Sequence, residues 1–407
     1  MRSTAVLKGV GDNNRKGMLF KSEHKNIKMY PELHQKWLKL TLNPSELVII
    51  EILMRMIGLL SKATLGHLAN NLPLPILATS RLKTLQRFLN SPRFCKEKIW
   101  WGIWIEIMTG YWHKQEPIIL AIDRTSWRKY NLLVVSWIVQ GRAIPINWQM
   151  LDKLGSSSLD DQQSIIQPIT YLLPDYSFVL LGDREFCSKH LATWLLEIGW
   201  GYCLRLKKST YIRLKNDELV PLQQLAAHPG ISIFLQGVNI STTAHKFPFN
   251  LAVHYPKEHH GMPIEEGWFI LTTLPNLTTA IQTYATRFQL EEMFRDYKSY
   301  GFNLELSQLN GSRFDNWFLL LTLVYSVMAF IGISTTPSQQ RYLVRATESK
   351  RQYPRYSIIT FGKIILFTEF DWSFISQLIS RYIKINRHRI DYYVRGLNCC
   401  NRYLVTV

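Results

Sequence analysis

Apolar and polar positions follow two different rhythms along this chain, and the change from one to the other divides it. Residues 1–30 show neither rhythm; they are polar and basic, and a flexible leader is expected there. From residue 44 the apolar positions Val48, Leu53, Ile57 and Leu60 recur at helical intervals, with Pro44 where proline opens a helix. Pro73 and Pro75 stop that segment, and "SRLKTLQRFLNS" (80–91) predicts a second short helix carrying Arg81, Lys83 and Arg87. Short basic helices suit a DNA end-recognition domain over 31–112, and suit equally a small bundle with a charged outer face.

At Pro117 the period shortens. "PIILAIDRTSW", "YNLLVVSWIVQ" and "RAIPINWQML" are apolar runs joined by brief turns and predict three neighbouring strands. A helix over "DDQQSIIQPITYLL", a fourth strand "YSFVLLGDREF" ending at Asp183, a helix over "SKHLATWLLEIG" and a fifth strand "GYCLRLKKS" follow. Residues 208–263 break into short strand-like pieces and loops, before another strand at 267–275 and one helix over 284–302. The order predicts a mixed α/β layer structure over 113–335 with a mostly β insertion at 208–263, preceded by the helical domain. Residues 336–407 are left as a basic C-terminal region, whose "RYIKINRHRIDYYVRG" (381–396), basic with interleaved aromatics, suits DNA contact or dimerisation and suits equally a charged solvated face.

Composition narrows the partners. A chain of 407 residues, 47% hydrophobic, builds a sizeable core and two to three domains. Its formal charge of +18 repels itself unless something negative neutralises it, which points to nucleic acid first and a membrane surface second. Cys95, Cys187, Cys203, Cys399 and Cys400 form no C-x-x-C pair and are odd in number, which argues against a disulfide framework or thiolate zinc site and for a reducing cytosol. The apolar stretch 316–333 approaches spanning length, yet it holds Asn, Thr, Tyr and Ser and stands alone, so a buried helix and no membrane partner are expected.

The candidate chemistry lies on the strands and the helix after them. Asp123 and Asp183 each end an apolar run, where a carboxylate is costly unless it sits at a sheet rim or is coordinated. Turn-favouring aspartates also end strands, but two at the ends of neighbouring strands converge on the crevice where open α/β sheets place their sites. With Tyr284 at 0° and ~100° per residue, Arg287, Glu291, Arg295 and Lys298 share one arc of a helix, from ~300° to ~20°. Leu290, Met293, Phe294 and Tyr297 form its packing face, and Glu292, near ~80°, lies off the basic stripe. Arg287 and Glu291 also fit an ordinary surface ion pair. Asp123, Asp183 and Glu291 together would suit two Mg2+ or Mn2+ ions, with Arg287 and Lys298 clamping a DNA phosphodiester.

These residues resemble the Y-x2-R-x3-E-x6-K signature of DDE transposases encoded by bacterial insertion sequences (IS-four type), present as Tyr284, Arg287, Glu291 and Lys298. Asp123 in "LAIDRTSW" and Asp183 in "LLGDREF" resemble that group's two catalytic aspartates. Over about 115–310 the resemblance implies a ribonuclease-H-like fold, Asp123, Asp183 and Glu291 as catalytic metal ligands, and cleavage and strand transfer at terminal inverted repeats. It also implies double-stranded DNA as end and target, a homodimer in the synaptic complex, and a cytoplasmic, nucleoid-associated protein. Trp268 resembles the tryptophan that stacks on a flipped base near a hairpin, and Tyr284 the tyrosine that contacts the backbone near the cut. Arg295 and the basic residues Arg81, Lys83 and Arg87 join the expected DNA contacts. Arg124 departs from the commoner pattern, and either binds phosphate or points away. A non-transposing nuclease of the same fold and a catalytically silent DNA-binding relic are the alternatives.

Overall fold

A computed structural model describes residues 29–60, 63–213, 218–226, 228–240, 249–259, 262–263, 266–298, 302–335, 339, 356–368 and 372–404. The expected leader, apart from its last two residues, lies outside them. The first described elements are helices α1 (Met29–Thr41), α2 (Pro44–Leu59), α3 (Leu65–Asn71), α4 (Ala78–Leu89) and α5 (Trp100–Tyr111). Helix α2 starts where Pro44 predicts, because Asn43 accepts the Glu46 amide and the Glu46 carboxylate accepts the Asn43 amide, a reciprocal cap.

The sheet begins with β1 (Ile118–Trp127), β2 (Tyr130–Val139) and β3 (Arg142–Met150). Gln140 and Gly141, at φ 42° and 81°, make the two-residue turn between β2 and β3 that positive φ favours. All ten residues of β2 are buried, as expected for an apolar strand covered on both faces. Then come α6 (Leu159–Leu172), β4 (Phe178–Gly182), α7 (Lys189–Glu197) and β5 (Gly201–Arg205). Strands β1–β3 are antiparallel neighbours, β4 runs parallel to β1, and β5 runs parallel to β4. The order β3-β2-β1-β4-β5 makes the core ribonuclease-H-like, as expected.

The inserted segment holds β6 (Tyr211–Arg213), β7 (Leu219–Pro221), α8 (Leu222–Leu225), β8 (Ser232–Ile240) and β9 (Phe249–His254), then the small hairpin β10 (Glu258–His259) and β11 (Met262–Pro263). It is mostly β, but it is not a separate appendage. Strand β12 (Trp268–Thr272) pairs with β5 on one side and β9 on the other, so β9, β8, β6 and β7 prolong the core sheet to ten strands.

The single helix expected over 284–302 is instead two, α9 (Leu277–Ala285) and α10 (Phe288–Lys298). At the break the Thr286 hydroxyl donates to the Thr283 carbonyl (2.7 Å), and the Arg287 amide donates to Tyr284 three residues back. Tyr284 and Glu291 therefore belong to different helices, and Arg287 sits on the turn between them. The apolar stretch at 316–333 lies in α11 (Gly311–Ser334), a helix long and apolar enough to cross a membrane, of which 83% of its most apolar window is buried inside the protein. The chain finishes with α12 (Ile358–Thr368), α13 (Trp372–Ile385) and α14 (Ile390–Leu404). These last helices return to the N-terminal ones: Arg55 lies 4.2 Å over the Phe374 ring, and the Tyr392 hydroxyl is 3.2 Å from the Ser80 hydroxyl.

Candidate active site

Strand β1 does not stop at Asp123. It continues to Trp127 because its pairing with β2 continues, Asp123 lying opposite Val134. What stops is the pairing with β4, whose last rung is Ile122 with Gly182. Asp123 and Asp183 each follow one residue of that rung, so the divergence of two parallel strands opens a crevice with both carboxylates at its mouth. An open cleft of about 540 Å3 lies there, lined by Asp123, Arg124, Thr125, Asp183, Arg287, Glu291, Phe294, Arg295 and Lys298. The turn before α10 and the first and last turns of that helix bring Arg287, Glu291 and Lys298 to it.

Backbone amides orient the two aspartates. Arg124 N–H donates to Asp123 Oδ1 (2.7 Å) and Glu185 N–H donates to Asp183 Oδ1 (2.8 Å). Burial pushes the Asp123 carboxyl up to about 6; the Arg124 amide and Arg287 pull it back, while Asp183 and Glu291 add like-charge repulsion. Arg287, buried on its turn, donates through Nη1 to Asp123 Oδ2 (3.2 Å) and through Nη2 to Glu291 Oε1. The pair Arg287–Glu291 thus exists, but as part of a bridge to Asp123 rather than as an isolated surface pair.

The two adjacent glutamates part company. Glu291 faces the cleft, whereas Glu292 accepts from Arg142 on β3 (3.1 Å). Arg142 also stands 3.6 Å from buried Asp296, to which the Tyr325 hydroxyl donates (3.3 Å). Leu290, Met293, Phe294 and Tyr297 are all buried, the packing face expected of them.

The remaining expected contacts divide. Lys298 lines the cleft and pairs with Glu305 (3.0 Å), and Arg295 lines it with an exposed side chain. Trp268 stands edge-on to Tyr284 at 5.3 Å, and the Arg287 guanidinium lies 5.9 Å from the Tyr284 ring, so these aromatics adjoin the basic side of the site. Arg124 is turned inward: its Nε and Nη2 hold Glu185 in a bidentate pair (2.9–3.1 Å) and its Nη1 donates to Asn131. Glu185 in turn accepts from the Ser157 amide and hydroxyl. Arg81, on α4, spends its guanidinium on the carbonyls of Asn70, Leu74 and Ile76, while Lys83 and Arg87 are exposed on the same helix outside the cleft.

Sequence reasoning passed over Glu185, Arg142 and Asp296. For Glu185 a signal was present in the D-R-E context, but its partner Arg124 becomes visible only once β1 and β4 are paired. As a donor set, three carboxylates fit a hard divalent ion. Among the described residues no three His, Cys, Asp or Glu side chains are close enough together to hold one as they stand. Arg287 stands as the counter-charge between two of the three carboxylates, Asp123 and Glu291.

Residues 159–327 match the family model described as the transposase DDE domain, a span that holds Asp183 and Glu291 and starts after Asp123. No curated protein matches the chain in sequence. Among solved structures, the chain is similar to a piggyBac transposase synaptic complex with hairpin DNA, at 13% identity and a TM-score of 0.41, covering 88% of this chain and 82% of that one.

Proposed function

We propose that this chain is a metal-dependent DNA transposase of the DDE type, which cuts the terminal inverted repeats of an insertion sequence and joins the freed ends to target DNA. One observation carries the reading: three carboxylates from β1, the end of β4 and α10 meet in one open cleft beside Arg287 and Lys298. The match of 159–327 to a transposase DDE domain supports it.

In this reading Asp123, Asp183 and Glu291 hold two Mg2+ or Mn2+ ions. Bound there, such ions polarise a phosphoryl oxygen and lower the pKa of an attacking water or 3'-hydroxyl. The protein's own groups bind and orient the phosphodiester. Arg287 exchanges its carboxylate partners for non-bridging oxygens, to which a guanidinium donates two parallel bonds, and Lys298 adds a point charge. Trp268, edge-on to Tyr284, offers a face for a base displaced near the cut. Two copies acting on two ends would form the synaptic complex.

The test is cleavage of an end-containing duplex by purified protein, with and without Mg2+ or Mn2+, beside Asp183→Asn. Divalent-dependent cleavage and strand transfer by wild type, lost by more than a hundredfold in Asp183→Asn, are expected. Protein that binds the duplex with metal present yet neither cleaves nor transfers strands would defeat the reading.

A further inference from the structure

Outside the cleft, exposed basic residues collect where the two ends of the chain meet. Helix α4 presents Lys83 and Arg87, α13 presents Arg381 and Lys384, and the 3-10 turn Arg387–Arg389 that leads into α14 presents Arg387 and Arg389. Residues 78–89 contain no acid and residues 372–404 contain one, Asp391. Among the described residues no salt bridge engages Lys83, Arg87, Arg387 or Arg389.

The two elements are fastened in register. Tyr392 on α14 accepts the Leu77 amide (3.4 Å) and shares a hydrogen bond with Ser80, at the entrance and first turn of α4. Gly396 approaches the Pro75 carbonyl so closely that a Cβ there would overlap it. Arg87 from α4 and Arg389 from the 3-10 turn act from two elements on the buried Tyr382 phenol, which burial pushes up and both guanidinium groups pull back. Packing therefore sets cations from both ends of the chain around one side chain, Tyr382, where they outnumber the nearby acids, Asp391 beside Arg389 and Glu51 near Arg381. Such an arrangement repels itself in water and is neutralised by a polyanion.

We propose that α4 and the α13–α14 hairpin form one composite surface for the phosphate backbone of duplex DNA, with Lys83, Arg87, Arg387 and Arg389 as its contact groups. It deepens, and rests on, the reading of the cleft as acting on DNA. The N-terminal helix thus shares its DNA contact with the C-terminal helices that brace it. Contacts of this kind are electrostatic and indifferent to sequence, so they position a duplex while other groups read its bases. Ile390, Val394 and Leu397 leave an exposed apolar stripe on α14, which makes an anionic membrane the competing partner.

The experiment is fluorescence anisotropy of the full chain with a short labelled duplex of arbitrary sequence, in EDTA, across a salt series. The double variant Arg87→Ser with Arg389→Ser is expected to bind on the order of tenfold more weakly at low salt, with the log–log salt slope shallower by about 2. Gly396→Leu, which removes no charge, is expected to weaken binding in the same direction by levering α14 from α4. Wild-type affinity and slope in the double variant would overturn the proposal, whatever Gly396→Leu does. So would tighter binding of wild type to phosphatidylserine vesicles than to duplex, with only vesicle binding lost in the variant. Because binding is read without metal, unchanged binding beside intact wild-type cleavage sinks this surface alone. Lost binding in the variant beside absent cleavage by wild type sinks the transposase reading alone.

Discussion

Asp123 is a carboxylate whose surroundings make ionisation costly, and that cost has a sign. Its folded value, about 6, lies above the ordinary 3.8, so between these values the native protein holds a proton that the unfolded chain has released. Stability then falls as pH rises from about 4 through 6, and above 6 the penalty is fully present, ~3 kcal/mol at most. Below pH 4 both states are protonated and the penalty vanishes. For metal-free protein, Asp123→Asn is therefore expected to raise stability at pH 7.5 by up to ~3 kcal/mol and to change it little at pH 3.5. Urea unfolding at the two pH values checks this; a variant less stable than wild type at pH 7.5 would show that the bond to Arg287 outweighs the burial. Millimolar Mg2+ is expected to stabilise wild type and not the variant, since an ion bound only by the native state adds to its stability.

Helix α10 owes its rotation to contacts on both sides, the cleft through Glu291 and the sheet through Arg142. Asp296 is buried, with its carboxyl pushed up by burial and held back by Arg142. Replacing Arg142 by Met strands that carboxylate without its counter-charge, so a loss of about 3–5 kcal/mol is expected in chemical denaturation. Glu292→Gln touches a partly exposed pair and is expected to cost under about 1 kcal/mol. Equal losses in the two would mean that Asp296 does not depend on Arg142. The phase of this helix was legible beforehand, because helical spacing alone separates Glu291 from Glu292 and gathers Leu290, Met293 and Tyr297. The break at Thr286 was not, since no Gly or Pro marks it and a hydroxyl-to-carbonyl bond makes it. Both aspartates were legible as the ends of apolar runs, but not that β1 runs on past Asp123, which depends on β2 and not on β1's own residues. Arg81 looked like a free cation because its acceptors are backbone carbonyls of residues 70–76, just before α4, which no side-chain pattern marks, and Arg124 because Glu185, 61 residues away, comes near only through tertiary packing. The insertion's place in the sheet was hidden for the same reason: pairing β9 with β12 is a non-local choice.

At the scale of the molecule, α11 is the element on which the two ends of the chain converge, and its apolar surface is spent inside the protein. Helices α2, α4 and α12 and strand β3 cover it, and its crossing with α12 is made by two glycines. A Cβ on Gly362 would overlap the Met328 carbonyl, and one on Gly332 would overlap the Ile358 carbonyl, so backbone rather than flexible side chain blocks both positions. Gly362→Leu must therefore push α12 away from α11. Because α12 and α13 also pack on α2, the displacement reaches the helices that hold α4 against the C-terminal end. The expected outcome is a loss of more than about 2 kcal/mol, with faster amide exchange in α12–α14 than in the β1–β5 core. Gly66→Ala is the contrasting substitution: nothing lies within 4 Å of its added Cβ, and a helical alanine is favoured by up to about 1 kcal/mol. If Gly362→Leu melts at the wild-type temperature with unchanged exchange in α14, the two ends of the chain are not coupled through α11, and the crossing glycines are merely tolerated.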